Sequence, residues 1–462
     1  MIEALEEIFG HVSTDVGPYC GDRTENRPRT PAFVVEAEHP DQIGALLKLA
    51  SEHGVPVTPR VTGENIGGLA IPAEGGIVLD LQRLKSIEID AEHMVAWIEP
   101  GVSWQELKEA AERHDLVLGY PLAPPESSVL ACALMDGLST MALAHGSFAE
   151  WIQGVVAYLA DGTRGVTGSA ALSGRPLSRG PLPDLTGMFV NWYGSTGVVS
   201  RLALSLWPKR LYRYRGVIPC ASAERAVDVM RKGSTLGLFD DLACLGWPAA
   251  KWAFGLDKLD PRDPKEPEAY VIADFGAITR EDLDFRIRRL KRISPVEPIP
   301  AKQLIRLAPD LAPFAELPTR LDFLMDHPGG GLSWVGTYGP MDRLAEGARA
   351  GIQLMERHGF PPLMVSRPMR GGHFSILRFI ERFDRSDEAE TARVREVNIE
   401  LGRTLMDLGF VPYKCPEILY DEVFERLDPG FVHLMRTLKR AVDPKGILNP
   451  DRWRLGDFED GA

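Results

Sequence analysis

Cysteine is scarce in this chain, long apolar runs are missing, and positive charge is outnumbered. The five cysteines (Cys20, Cys132, Cys220, Cys244, Cys415) are scattered, odd in number and contain no C-x-x-C pair. Neither a disulfide framework nor a zinc cluster is expected, and a reducing cytoplasm fits. No apolar stretch approaches the ~18 residues that suggest a membrane span. The opening segment MIEALEEIFGHVSTDVG is acidic and lacks a basic region ahead of an apolar one, so it is not read as a signal peptide. Lys plus Arg total 52 against 65 for Asp plus Glu, a formal charge of −13. Such a surface repels phosphate backbones, which makes nucleic acid an unsuitable partner.

Several catalytic signatures are missing as well. No G-x-G-x-x-G follows a strand, which argues against a nicotinamide Rossmann fold, and no G-x-x-x-x-G-K-[ST] appears. H-E-x-x-H and a G-x-S-x-G elbow are also lacking. The ten histidines are dispersed, with no two at i, i+4 on a predicted helix, so no metal centre is expected.

What is present is globular. With 44% hydrophobic and 25% charged residues, the composition excludes disordered and fibrous classes, and 462 residues suggest two or three domains. Residues 31–36 read as a strand, a helix follows from about Pro40 to its stop at Gly54, and 55–60 is a second strand, a β-α-β start. Further strands are expected at 75–81, 94–101 and 197–208, with a helix opened by a Ser103–Glu106 capping box and a hairpin around Asp161-Gly162. After Pro208 helices near 224–232, 280–292, 342–358 and 387–408 alternate with strands at 270–276, 332–338 and 374–383. That pattern is α+β with an antiparallel sheet. The tail, 431–453, reads as a helix and an extended end that returns to the first domain.

The 45 glycines and 36 prolines concentrate partly in three loops at strand ends. The first is Pro59-Arg-Val-Thr-Gly-Glu-Asn-Ile-Gly-Gly-Leu-Ala-Ile-Pro72, where Gly63, Gly67 and Gly68 let successive N–H groups turn inward as an anion nest. The second runs from Tyr120 to Gly137 with Ser127 and Ser128 as donors. The third runs from Asp184 to Ser200. Any one alone reads as a surface turn; three in one α/β domain do not.

The first loop resembles the R-G-G-G-T-N-x-x-G-G-x-x-P segment of FAD-binding oxidoreductases of the vanillyl-alcohol oxidase / p-cresol methylhydroxylase superfamily. The third resembles that family's D-L-x-G-x-F-x-G-S-x-G-x-x-G-V-x-T segment, and Asp443-Pro-Lys-Gly-Ile-Leu-Asn-Pro450 resembles its D-P-x-G-I-x-N-P terminus. The resemblance implies an α+β protein: a PCMH-type FAD-binding domain of two α/β subdomains (1–210), a cap with an antiparallel sheet (211–430), and a C-terminal segment (431–462) rejoining the FAD domain. It implies FAD contacts at Arg60, Val61, Thr62, Gly63, Glu64, Asn65, Ile66, Ser128, Gly137, His145, Gly194, Val199 and Asn449. Val61, Thr62 and Glu64 depart from the family loop, as do Asn191 and Trp192. A carboxylate at 64 beside a diphosphate is unfavourable unless it turns away or meets Arg60.

On the substrate side, Tyr413-Lys414 stands where phenol-oxidising relatives carry a Tyr-Arg pair that binds the phenolate. A cation and a phenolic donor lower the pKa of a bound phenol from about 10, and the phenolate then releases hydride from its para-benzylic carbon to the flavin. The resemblance places His373 and Arg370 facing the flavin, with His373 as base or oxyanion partner, and Asp136 near an acid that tunes it. The expected activity is hydride removal from a 4-hydroxybenzylic or related aromatic substrate. The alternatives are a 2-hydroxy-acid dehydrogenase of the D-lactate or glycolate kind and a flavin-binding subunit of a larger complex. Against the first alternative, the H-x-G-D-G-N-x-H segment of that branch is missing, although Arg367, Arg370 and Arg378 could clamp a carboxylate. Gly331 stands where the family's tethering histidine would be, so FAD is expected to be non-covalent. A small aromatic or hydroxy-acid substrate, an electron-transfer protein and homo-oligomerisation complete the expected partners.

Overall fold

The computed structural model describes residues 1–64, 67–253, 262–307, 324 and 326–455. Three parallel strands open the fold, Phe33–Glu36 and Val57–Arg60 flanking Ile77–Asp80. Helix Asp41–His53 carries the chain across the sheet from the first outer strand to the other, burying Ile43, Leu46, Leu47 and Ala50 and ending at Gly54 in the left-handed region. A second sheet of five antiparallel strands follows, in the order Ile87–Asp90, Val95–Ile98, Val198–Ser205, Ile152–Tyr158, Arg164–Val166. The capping box forms as expected: the Ser103 N–H donates to Glu106 Oε2 at 2.8 Å and the Glu106 N–H to Ser103 Oγ at 3.2 Å.

Beyond Pro208 the chain builds one eight-stranded antiparallel sheet. The helices expected there form as Ala223–Ser234, Arg280–Ile293, Leu344–Arg357 and Glu388–Asp407. Three of them are capped by the side chains of Ser222, Thr279 and Asp387. Strands Tyr212–Cys220, Asp241–Gly246 and Leu363–Met369 also belong to the sheet, and sequence patterning does not announce them. The last is buried at every position, so it shows no alternation to read.

Strand Phe374–Phe383 separates the two faces of this sheet. Leu377, Phe379 and Phe383 join the large core under the helices. Ile376 and Ile380 point the other way, into a smaller cluster shared with Leu138 and Ala142 of the first lobe. The functional cleft opens on that second face.

The tail leaves the cap and returns. Helix Pro429–Val442 starts with an Asp428 cap and proline at its first position. Ile447 and Leu448 then enter the core of the first lobe, the Val57 N–H donates to the Ile447 carbonyl at 2.8 Å, and the Asn449 N–H donates to the Val57 carbonyl at 2.9 Å. Lys439, fully buried, donates to the carbonyls of Ser195 and Leu448, both at 2.8 Å, and to Asp443 Oδ2 at 2.5 Å. Trp453 stacks between Tyr193 of the third glycine-rich loop and Tyr420 of the cap.

One buried polar cluster lies on the helix side of the cap sheet. Asn398 Nδ2 donates to Glu25 Oε1 at 3.1 Å and to Ser333 Oγ at 3.0 Å. Glu381, paired across the strands with Ser333, is buried with neither carboxyl oxygen hydrogen-bonded. Burial, and then the Glu25 charge, push its carboxyl well above the ordinary 4.5. A raised carboxyl pKa stabilises the fold below the ordinary value, and that contribution is lost as pH climbs through the folded pKa. Glu381→Gln removes the ionisation. Thermal melts should show the variant gaining over the parent at about pH 8 and losing that advantage at about pH 5; a difference that does not vary with pH would contradict the assignment.

Candidate functional site

The three glycine-rich loops meet in one cleft whose far wall belongs to the cap. Its space, open mouth included, is about 1560 Å³. Arg60, Val61, Thr62, Gly63 and Glu64 line one end. Ser128, Cys132 and Met135 line the floor, Gly194 and Val199 a side, and Leu332, Trp334, Arg378 and Lys414 the cap wall.

The cap wall is aromatic and cationic. The Arg378 guanidinium lies 4.3 Å from the Trp334 ring centre and donates a hydrogen bond to Tyr413 Oη. Tyr413 stacks on Tyr338 at 4.9 Å, and Tyr338 Oη donates to the Asp136 carbonyl at 2.8 Å. Burial pushes the Tyr413 phenol up to about 12, with Arg378 opposing. This side chain therefore keeps its proton at physiological pH. Its oxygen accepts from Arg378, and Tyr413 itself stands behind the lining residues Trp334, Arg378 and Lys414. Lys414 adopts a positive φ of 47°, and its ammonium stands 6.0 Å from the Trp334 ring centre. Burial lowers its pKa. The turn is held from the first lobe: the Cys415 N–H donates to Tyr193 Oη at 3.0 Å.

Eight of the residues expected at the cofactor line this cleft: Arg60, Val61, Thr62, Gly63, Glu64, Ser128, Gly194 and Val199. Asn65 and Ile66 lie outside the described residues. Glu64 is met by Arg23 at 3.6 Å and not by Arg60; the Arg60 guanidinium is directed to the carbonyls of Tyr19 and Pro18 at 3.0 and 3.2 Å.

Other expectations need correction. Arg370 and His373 are exposed, in the turn between strands Leu363–Met369 and Phe374–Phe383, and Arg370 pairs with Glu150 at 3.1 Å. The strand reaches the cleft only at Arg378. Arg367 is buried and already engaged, by Asp241 at 3.3 Å and the Ser139 carbonyl. His145 packs against Trp207 at 4.6 Å, outside the cleft lining; burial, and then Arg210, lower its pKa. Gly137 lies behind the floor, packed against Cys132. Asn449 stands behind the wall, its Nδ2 donating to the Tyr193 carbonyl at 2.6 Å. Asp136 sits one residue beyond Met135, with Oδ1 buried and unpartnered. Burial raises its carboxyl pKa, against hydrogen bonds from Ser147 and Tyr338. Its part is to support Tyr338, not to line the cleft.

Trp334, Tyr193 and Cys132 line the cleft without having been expected there, and Arg378 was expected only as a carboxylate clamp. One signal was available for Arg378: in FSILRFIERF the period-2 alternation sets it on the same face as Ile376 and Ile380, a cation amid an apolar row.

The cleft walls fit FAD. At Gly194, whose φ is 79°, a Cβ would stand 2.6 Å from Pro59 Cγ, and at Gly197 it would stand 2.8 Å from Phe189 Cε1. The missing side chains let the third loop pack directly on Pro59 and Phe189, which line the cleft with it, so backbone comes close to the space a cofactor would fill. Among the described residues no group of three or more His, Cys, Asp or Glu side chains converges as a metal site. No helix among them is long and apolar enough to cross a membrane.

Comparison with known proteins agrees with this reading. Residues 31–168 match the FAD binding domain family and residues 420–452 the FAD linked oxidases, C-terminal domain. Glycolate oxidase subunit GlcD of Bacillus subtilis is 30% identical, over 94% of this chain and 91% of that protein. An uncharacterized FAD-linked oxidoreductase of Mycobacterium tuberculosis is 29% identical over 243 residues, 52% of this chain and half the length of that relative. In fold the chain is similar to p-cresol methylhydroxylase with substrate bound (TM-score 0.87, 20% identity, 100% of this chain and 97% of that one). It is also similar to 4-ethylphenol oxidase from Gulosibacter chungangensis (TM-score 0.86, 19% identity, 98% and 96%). The cofactor cleft, the tail that rejoins its lobe and these matches lead to one conclusion: the chain belongs to the FAD-linked oxidoreductases that pair this FAD binding domain with the FAD linked oxidase C-terminal domain, and it has the fold of p-cresol methylhydroxylase.

Proposed function

We propose that this oxidoreductase removes hydride from a 4-hydroxybenzylic or closely related aromatic substrate. The observation that carries the reading is the Tyr413–Arg378 pair: the Arg378 guanidinium lines the cleft beside Trp334 and holds the oxygen of Tyr413, a protonated phenol set directly behind it. The Tyr413 O–H donates to the substrate's phenolic oxygen, and Arg378 and Lys414 supply positive charge beside it. Together they stabilise the phenolate over the phenol and lower its pKa from about 10. Trp334, Leu332 and Met135 exclude water from the ring. FAD, when bound, supplies the two-electron acceptor for the hydride. The folds of p-cresol methylhydroxylase and 4-ethylphenol oxidase support this choice.

The relative named glycolate oxidase subunit favours a second reading, oxidation of a 2-hydroxy acid whose carboxylate would be held by Arg378 and Lys414. Anaerobic mixing separates the readings. A 4-alkylphenol should bleach the flavin while D-lactate and glycolate should not, and Tyr413→Phe should slow the bleaching by about 10²-fold. Bleaching by the hydroxy acids alone would select the second reading, and bleaching by none would mark the chain as a non-catalytic flavin subunit.

The cofactor is proposed to be held non-covalently. Gly331 has no side chain, and a Cβ there would stand 2.8 Å from Arg385 Cγ. Acid precipitation should release the flavin into the supernatant, and fluorescence retained in the pellet would refute this.

A further inference from the structure

The cap wall carries two cations in one apolar surface, and neither has an acidic partner among the described residues. Arg378 donates to Tyr413 Oη, an uncharged oxygen, and its Nε is buried without a partner. Lys414 forms no hydrogen bond or ion pair among the described residues, and its ammonium faces the Trp334 ring. Of the acids, only Glu64 lines the cleft, at the loop end, and Arg23 meets it there. Asp136 stands behind the wall, where its charge is felt by Lys414 without a hydrogen bond or ion pair between them. Tyr413 remains protonated and offers no negative charge.

Once a ligand fills the cleft and displaces water, a cation in its wall that meets no opposite charge is unfavourable. One phenolate oxygen offsets one of the two, so a ligand bearing a single anionic group leaves the other unanswered. The two side chains also differ in what they recognise. Arg378 offers a planar fork and is pre-set by Trp334 and Tyr413, whereas Lys414 offers a compact point charge on a flexible stem.

We infer that the substrate carries a second anionic group, a carboxylate on the phenolic ring or on its side chain, held by Lys414 while Arg378 and Tyr413 hold the phenolic oxygen. This inference rests on the phenol reading above and narrows it from alkylphenols in general to carboxylated phenols.

The test is a binding titration of the FAD-loaded protein, followed by perturbation of the flavin absorbance. Phenol, benzoate and the three hydroxybenzoate isomers all lack a benzylic C–H, so binding is read without turnover. At least one hydroxybenzoate should bind about tenfold or more tightly than both phenol and benzoate, the gain expected of one further charge-assisted contact. Lys414→Met should collapse that preference and Lys414→Arg should retain most of it, with thermal melts confirming that both variants fold. Phenol binding as tightly as every hydroxybenzoate would overturn the inference and leave the phenol reading intact. Benzoate binding without phenol, or no perturbation by any of the five, would overturn both.

Discussion

A single buried ion pair holds the tail where the rest of the site needs it. Lys439 and Asp443, one helical turn apart, have no solvent exposure. Two charges that deep are tolerated only if every remaining donor and acceptor is used. The Lys439 ammonium meets the Ser195 and Leu448 carbonyls as well as Asp443. The Asp443 carboxylate accepts from the Ile447 and Leu448 N–H groups at 3.0 and 2.8 Å. Ser195 belongs to the loop whose Gly194 and Val199 line the cofactor cleft. The tail's next residues pin the Tyr193 carbonyl through Asn449 and its ring through Trp453. Tyr193 in turn holds the Cys415 N–H beside Lys414. One contact chain thus runs from helix Pro429–Val442, through the cofactor loop, to the cap wall of the cleft.

That arrangement also explains how a protein of net charge −13 can hold an anionic cofactor. The overall field is unfavourable, and the cleft corrects it locally with close backbone approach at Gly194 and Gly197 and with Arg23 and Arg60 at its loop end. Glu64, the one acid among the lining residues, is answered by Arg23. Neighbouring lattices of charge elsewhere on the surface do not enter, since exposed charges are screened over about 10 Å.

How much of this was legible in the sequence depended on how locally each feature is encoded. The Ser103 capping box, the Gly54 helix stop and the long amphipathic cap helices are specified by residues within a few positions, and they form as expected. The loop 59–64 and Gly194 were legible because glycine spacing reports close backbone approach. The misplacements share a different cause. Arg370 and His373 look reactive in sequence, but a hairpin turn carries them to the surface, and only strand alternation directs Arg378 inward. His145 and Asn449 occupy family positions near the cofactor, yet here they serve packing against Trp207 and the fastening of Tyr193. The fully buried strand Leu363–Met369 had no periodicity to reveal it.

The central claim is that the buried tail pair shapes the flavin cradle from a distance. Lys439→Met, which removes the cation and leaves Asp443 buried and unpaired, tests it directly through the flavin content and thermal melt of the purified variant. The account predicts a loss of about 3–5 kcal/mol in stability together with weakened FAD retention, and the FAD absorbance spectrum of any remaining holoprotein should shift because Lys414 moves with Tyr193. A variant that melts like the parent and keeps its full flavin content would contradict the account.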